Sequence, residues 1–460
     1  MTPPLVTVIT PVHDTREYLG PWFASLRAQT LAPGELEVLA VDDGSTDGSG
    51  EELRALAASW PGTVRVLALP ARGGPARARN AALREARGRY VFFLDSDDRL
   101  GAEALARLTA AADRLGSDVV VGRVVGVNGR WVSPELFRET VEDVRFPGCA
   151  LAWSLSPGKL FRRELLSRHG LRFPEDLPVY SDTPLVLEAF FRARRISVLA
   201  DYDYYYLLAR EDRSNITTTA RLADRLRGTA AGVAVVLRFT AAGPVRDEVN
   251  DRYIRSDLVN LFGREFLLLE PEERRQLAAA AGELVRAHLT DAIRARCTEP
   301  QRLKLHCLQH GLTEELTELV RHECDHGELP EPLTATASWS AQGLRVHTSR
   351  ALPGLVSAPV TWLSDTLGHV AADDETVIPL RELLPRQRST LRLEASYAGR
   401  SVPGRITPET ALRQRRVWHA GRVYRLTPKT GPRGELEVWA ARITLRRVLR
   451  LRLGRLLGSR

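Results

Sequence analysis

Between Leu5 and about Ala200, short apolar runs alternate with longer stretches in which apolar residues return every three or four positions. Val6–Thr10, Val38–Val41, Val64–Leu67, Tyr90–Leu94 and Val119–Val125 read as strands, and Leu19–Gln29, Glu51–Ala58, Pro75–Arg87 and Ala102–Leu115 as helices. Strand and helix in alternation predict a mostly parallel sheet covered by helices on both faces. Ligands of such sheets sit at the carboxyl ends of the strands. From Leu222 to Glu328, Ala, Leu, Arg and Glu dominate without a strand-like run, and a helical region is expected. Beyond Pro330 and Pro332 the period changes to two, as in Leu333–Trp339 and Leu391–Ala395, with Gly343, Gly399, Gly421 and Gly434 marking turns. The expected organisation is an α/β domain over 1–219, a helical linker over 220–329 and an all-β sandwich over 330–460.

A chain of 460 residues suits two or three domains, each with its own core. The longest apolar runs, such as Tyr90–Leu94 and Gly232–Leu237, fall far short of a membrane span, and the N-terminus lacks the basic start of a signal peptide. A cytosolic protein is expected. The cysteines, Cys149, Cys297, Cys307 and Cys324, are too few for a disulfide framework. His306, Cys307, His310, His322, Cys324 and His326 are zinc-type ligands close in sequence, but a break at Gly311 would fold two antiparallel helices that carry His306 and His322 apart. Solvated helix faces are the simpler reading. The net charge of +8 is local, because the seven arginines between Arg442 and Arg460 leave +1 elsewhere. These arginines lack interleaved aromatic residues, so nucleic acid is not an expected partner.

The chemistry gathers at strand ends. Asp95-Ser96-Asp97-Asp98 follows the run Tyr90–Leu94, and three carboxylates at the tip of a buried strand call for a divalent cation or several donors. An acidic loop capping the next helix would read the same way. Upstream, Asp42-Asp43-Gly44-Ser45-Thr46-Asp47 ends another strand. It is no calcium loop, since Arg54 stands where the bidentate Glu belongs, and it suits the base or ribose of a nucleotide. No lysine-bearing phosphate loop is present, which argues against a kinase or ATPase of that class.

Thr10-Pro11-Val12-His13-Asp14, Val41–Asp47, Gly74 with Ala78-Arg79-Asn80, and Leu94–Asp98 occur in the order found in the family 2 glycosyltransferases, and the chain resembles that family through Gly158–Arg162, Phe173-Pro174, Ser181-Asp182-Thr183 and Tyr206–Thr218. The resemblance implies a GT-A fold, a nucleotide-sugar donor, UDP-linked by preference, a divalent ion (Mn2+ or Mg2+) and inversion at the anomeric carbon. Carried over by position, Pro11, Val12, His13 and Asp43 hold the uridine, Arg72 stands beside the base, and Arg79, Asp95 and Ser96 line the donor site. The same carry-over implies that Asp97 binds the metal and that Asp182, unless it only caps the helix Thr183–Phe191, is the base that takes the acceptor proton, while Arg210, Arg213 and Ser214 are candidates for a second clamp on the diphosphate, the alternative being plain surface arginines. Three positions depart from the family pattern: His13 replaces a common Tyr, Arg72 a common Asn, and Ser181 the Glu that usually precedes the base.

Helical and β segments after such a domain resemble the architecture of bacterial wall teichoic acid glycosyltransferases, with an immunoglobulin-like sandwich at the C-terminus. That likeness implies a phosphate-rich glycopolymer as acceptor and a homo-oligomer formed through the C-terminal domain. A capsular or exopolysaccharide acceptor, a lipid-linked precursor, or a catalytically silent carbohydrate-binding scaffold are the competing readings. From Arg442 to Leu453 arginines alternate with apolar residues, which suits a strand whose basic face meets a polyanion or the anionic inner face of the plasma membrane.

Overall fold

The structure is a computed structural model that describes residues 3–147, 150–210, 219–330, 333–355, 361–364, 368–371, 374–384, 388–397, 400–408, 412–432 and 434–443. Two compact units account for the chain, one built from Met1–Leu261 with Glu283–Cys297 and the other from Phe262–Gly282 with Thr298–Arg460. The helical stretch after residue 219 thus divides between the two.

In the first unit the strands are β1 (Val6–Val12), β2 (Leu36–Asp42), β3 (Val64–Ala68), β4 (Tyr90–Phe93), β5 (Arg99–Leu100), β6 (Val119–Gly122), β7 (Val124–Val127), β8 (Leu160–Arg162), β9 (Ile196–Leu199) and β10 (Tyr205–Leu208). Seven of them form one sheet in the order β3-β2-β1-β4-β8-β6-β9, in which only β8 runs antiparallel to its neighbours. Alternate residues serve opposite faces: Ile9, Leu39, Val91 and Phe93 enter one core cluster, while Val8, Val38, Tyr90 and Phe92 enter the other. Each such fully buried large side chain contributes about 1.5–3 kcal/mol, so the central strands are the rigid part of the unit.

The run Val119–Val125 is not one strand. It breaks at Arg123 into β6, in the large sheet, and β7, in a separate sheet of order β5-β10-β7. Two contacts from distant sequence cause the break. Arg123 pairs with Asp203 at 2.7 Å, and Gly122 lies against Tyr204, whose ring would meet a Cβ there at 2.5 Å. The small sheet brings β10, and with it Leu207, Leu208 and Arg210, to the acidic tetrad.

The helix Leu222–Phe239 packs on the helix Asp182–Arg192 of the same unit. After the helix Pro244–Arg252, a π-helical turn covers Tyr253–Leu258. In the second unit, Gly311 in the left-handed conformation separates the helices Glu299–His310 and Thr313–His326. No cluster of three or more His, Cys, Asp or Glu side chains able to hold a metal occurs among the described residues, and Cys307 is buried, its thiol pushed up to about 12 mainly by desolvation. The β region includes the antiparallel pair Leu333–Trp339 and Gly343–Arg350, and the long strand Arg388–Tyr397 next to Arg400–Pro408 and Leu436–Arg442. Its period-two pattern buries Leu333, Ala335, Ala337, Leu391, Leu393 and Ala395 in one core. The alternating arginines after Ile443, like Cys149, Arg213 and Ser214, lie outside the described residues. Among the described residues no helix is long and apolar enough to cross a membrane.

Candidate active site

The parallel strands β1, β2 and β4 stop side by side, and one cavity opens at their carboxyl ends. Its lining includes Pro11, Val12, His13, Asp43, Arg72, Arg79, Asp95, Ser96, Asp97, Asp182 and Arg210, so every described residue expected from the sequence to bind the donor or metal or to act as base meets there. Thr15, Gly74, Pro75, Asp98, Arg130, Pro178, Val179, Tyr180, Ser181, Leu207 and Leu208 complete it.

Hydrogen bonds between neighbouring loops set the first wall. The Asp14 carboxylate accepts from the Thr46 amide at 2.8 Å, and Asp47 accepts from the Arg16 amide at 3.0 Å. The Asp43 carboxylate is 2% exposed and accepts from the amides of Gly73 (2.9 Å) and Gly74 (2.7 Å), the free N–H groups at the start of the helix Gly74–Glu85. Asp43 therefore anchors the loop that carries Arg72 as well as lining the cavity. Gly44 lets the loops approach: its φ is +71°, and a Cβ there would sit 2.9 Å from the Arg72 nitrogen. His13 Nδ1 lies 3.0 Å from the Asp43 carbonyl oxygen, tying the ends of β1 and β2 together.

The acidic tetrad caps no helix, since the next one starts from Glu103. Each carboxylate instead meets a donor from a different element. Arg79 bonds Asp95 at 2.6 Å, Arg210 bonds Asp97 at 2.6 Å, and Asp98 accepts from the Tyr205 hydroxyl (2.6 Å) and the Leu208 amide (2.8 Å). Ser96 is buried and accepts from the Thr15 hydroxyl at 3.0 Å. Desolvation raises the pKa of Asp97, with Asp95 adding to the rise and Arg210 opposing it. Asp98 is pushed well above the usual carboxylate range by burial and by Asp97 and Asp95. Three carboxylates and two guanidinium groups, Arg79 and Arg210, thus share one corner of the cavity. One or two carboxylates, completed by phosphate oxygens and water, suit Mg2+ or Mn2+. The buried Nε of Arg79 has no hydrogen-bond partner in the protein.

Asp182 opens the helix Asp182–Arg192 and accepts from the Thr183 amide at 3.0 Å. Burial raises its pKa, while Arg79 pulls it down. Asn80, part of the Ala78-Arg79-Asn80 motif, does not line the cavity: its side-chain amide donates to the Phe173 carbonyl at 2.8 Å and accepts from the Phe173 amide at 3.0 Å, which holds that segment in place.

Lys159, from the Gly158–Arg162 motif, is 1% exposed and donates to the Ser156 carbonyl at 2.6 Å. Desolvation lowers its pKa to about 7, with Asp182 opposing and Arg252 assisting. Between about 7 and the ordinary value of 10.5 the unfolded chain binds the extra proton, so unfolding free energy contributed by this group rises with pH across that window. Urea unfolding at pH 6.5 and pH 9 should therefore show Lys159→Met gaining on wild type at the lower pH and losing that gain at the higher, by up to about 1.4 kcal/mol per pH unit within the window. A difference independent of pH would mean that the lysine stays charged.

Residues 7–170 match the family model "Glycosyl transferase family 2", and residues 226–320 match "Glycosyl transferase TarS linker domain". Poly(ribitol-phosphate) beta-N-acetylglucosaminyltransferase TarS of Staphylococcus aureus is 31% identical over 290 residues, covering 61% of this chain and 49% of that protein. Succinoglycan biosynthesis protein ExoO of Rhizobium meliloti is 32% identical over 315 residues, covering 64% of this chain and 86% of that protein. Among solved structures, residues 1–349 of S. aureus TarS in complex with UDP-GlcNAc align with a TM-score of 0.62 at 27% identity, over 74% of this chain and 96% of that one. The chain belongs to the family 2 glycosyltransferases. It spans from about a third to just under two thirds of the length of the poly(ribitol-phosphate) transferases it matches.

Proposed function

We propose that this protein transfers a sugar from a UDP-sugar to a hydroxyl of a phosphate-rich cell-envelope glycopolymer, with inversion at the anomeric carbon. The observation that carries the reading is the meeting of Asp43, Arg79, Asp95, Asp97, Arg210 and Asp182 in one cavity at the carboxyl ends of parallel strands. The likeness to TarS, solved with UDP and with UDP-GlcNAc, supports the uracil donor despite His13 and Arg72. Pro11–His13 and Asp43 form the wall for the uridine. Arg79, with its unpaired buried Nε, and Arg210 are placed to receive the diphosphate. Asp97, with Asp95 beside it, would hold a divalent ion, which supplies charge to the departing nucleoside diphosphate. Asp182 takes the proton of the acceptor hydroxyl, and its raised pKa keeps it a stronger base than an exposed carboxylate.

The ExoO likeness, which covers most of that protein, favours an exopolysaccharide or lipid-linked acceptor as the second reading. One experiment separates the two: nucleoside diphosphate release from a panel of nucleotide sugars with Mn2+, with poly(ribitol phosphate) or a lipid-linked saccharide added. Release from one UDP-sugar that rises with the polymer supports the first reading, and stimulation by the lipid-linked saccharide alone supports the second. Equal slow release from every donor, with either acceptor, would discard both.

A further inference from the structure

The wall of the cavity that carries Asp182 is Pro178–Asp182, and its backbone is held in an unusual shape. Tyr180 has φ +58°, the left-handed region that a bulky aromatic residue rarely occupies, and only surrounding structure can keep it there. The Thr183 amide donates to the Tyr180 carbonyl at 3.2 Å, so the turn at Tyr180 leads directly into the helix that starts at Asp182.

What lies behind the turn is the helix Leu222–Phe239, at Gly228. A Cβ at that position would stand 2.8 Å from the Tyr180 Cβ, 2.9 Å from its Cδ2 and 3.1 Å from the Val179 carbonyl oxygen. The obstructing atoms are the root of a side chain and a backbone oxygen, so a methyl group there cannot be relieved by a rotamer change. It must push the chain at 179–180. One turn further along, Gly232 meets the Tyr253 ring, where a Cβ would stand 2.5 Å away. Glycine lowers helix stability, and two of them four residues apart on the face turned to these partners mark a surface cut back for close approach.

We infer that Gly228 is a positioning residue for the transfer reaction: through Tyr180 it sets where the Asp182 carboxylate stands, so the linker-like helix forms the back of the catalytic wall. Gly228 and the rest of the helix from residue 226 on lie in the segment that matches the TarS linker model, which gives that segment a part in the site beyond connecting domains. The inference rests on Asp182 being the base. A displacement of the base by a fraction of an ångström impairs the step in which the acceptor is deprotonated and leaves the donor wall, built from β1, β2 and β4, untouched.

The test is a double-mutant cycle on the full-length protein, reading kcat and KM of UDP-sugar consumption with acceptor, and the Kd of UDP by calorimetry. Gly228→Ala should lower kcat about 20-fold or more with the UDP Kd within about twofold of wild type. Tyr180→Gly removes both Tyr180 side-chain atoms that obstruct the methyl group and suits the positive φ, so adding Gly228→Ala to it should cost less than about threefold. Equal cost in both backgrounds, no cost in either, or a parallel loss of UDP affinity would overturn the inference. Should Gly228→Ala alone not fold, Tyr180→Gly decides: it frees the turn and should itself lower kcat, and an unchanged kcat rejects the idea. Asp182→Asn run alongside keeps the two levels apart, because wild-type activity in that variant rejects the base assignment, whereas its inactivity beside a fully active Gly228→Ala rejects the positioning role alone.

Discussion

Asp182→Asn is expected to lower sugar transfer about 1,000-fold while the Kd of UDP stays within about twofold. The substitution keeps the size of a side chain that touches Arg79's field and the Thr183 amide, so the helix that begins at Asp182 should still form. What it removes is the group able to take the acceptor proton. Initial rates with saturating UDP-sugar, set beside calorimetric titration of UDP, measure both halves. The wild type should also lose transfer activity as the pH falls through the raised pKa of Asp182, because only the ionised carboxylate accepts a proton. A variant that transfers at the wild-type rate would remove Asp182 from the chemistry.

Asp97→Ala should have an effect of similar size by a different route. Donor consumption should fall about 100-fold or more, and the dependence on Mn2+ concentration should disappear, since the carboxylate that would share the ion is gone. Arg210 then loses its 2.6 Å partner and remains near Tyr18, over whose ring it lies at 5.4 Å. Calorimetry of UDP with and without Mn2+ gives the check: the wild type should bind more tightly with the ion, and the variant equally in both conditions. A variant that keeps its response to Mn2+ would place the ion elsewhere.

Most of the scaffold was legible because short runs rich in apolar residues, such as Val38–Val41 and Tyr90–Leu94, alternate with stretches of helical period. Val6–Val12, Leu36–Asp42, Val64–Ala68 and Tyr90–Phe93 each extend the expected strand by at most two residues at either end or stop one short. The same signal misled at Val119–Val125. Nothing local shows that Arg123 will pair with Asp203, 80 residues later, and turn the run into another sheet. The two-residue strand Arg99–Leu100 is too short to carry any pattern.

Asp43 and the tetrad announced themselves as acids at strand ends, whereas Pro11–His13, Arg72, Arg79, Asp182 and Arg210 came from the family resemblance. Arg130, Tyr180 and the leucines of β10 gave no such signal, because their place depends on tertiary packing. Lys159 could have been found: a lysine between Gly158 and the apolar Leu160-Phe161 points to a buried ammonium. The dual use of Asp43, as cavity wall and as anchor for Gly73 and Gly74, follows from a hydrogen-bond geometry that spacing does not encode.

The answering of the tetrad by β10 has a consequence for biosynthesis. Asp98 and Tyr205 are 107 residues apart in the chain, and Asp97 and Arg210 are 113 apart. While the ribosome is still extending the polypeptide between them, the first four strands can pair, but the acidic tip they converge on has neither its guanidinium from Arg210 nor its phenol. The donor cradle therefore matures after the sheet beneath it, and a nascent chain stopped short of residue 205 would carry a nearly complete sheet with Asp95 paired to Arg79 but Asp97 and Asp98 unanswered.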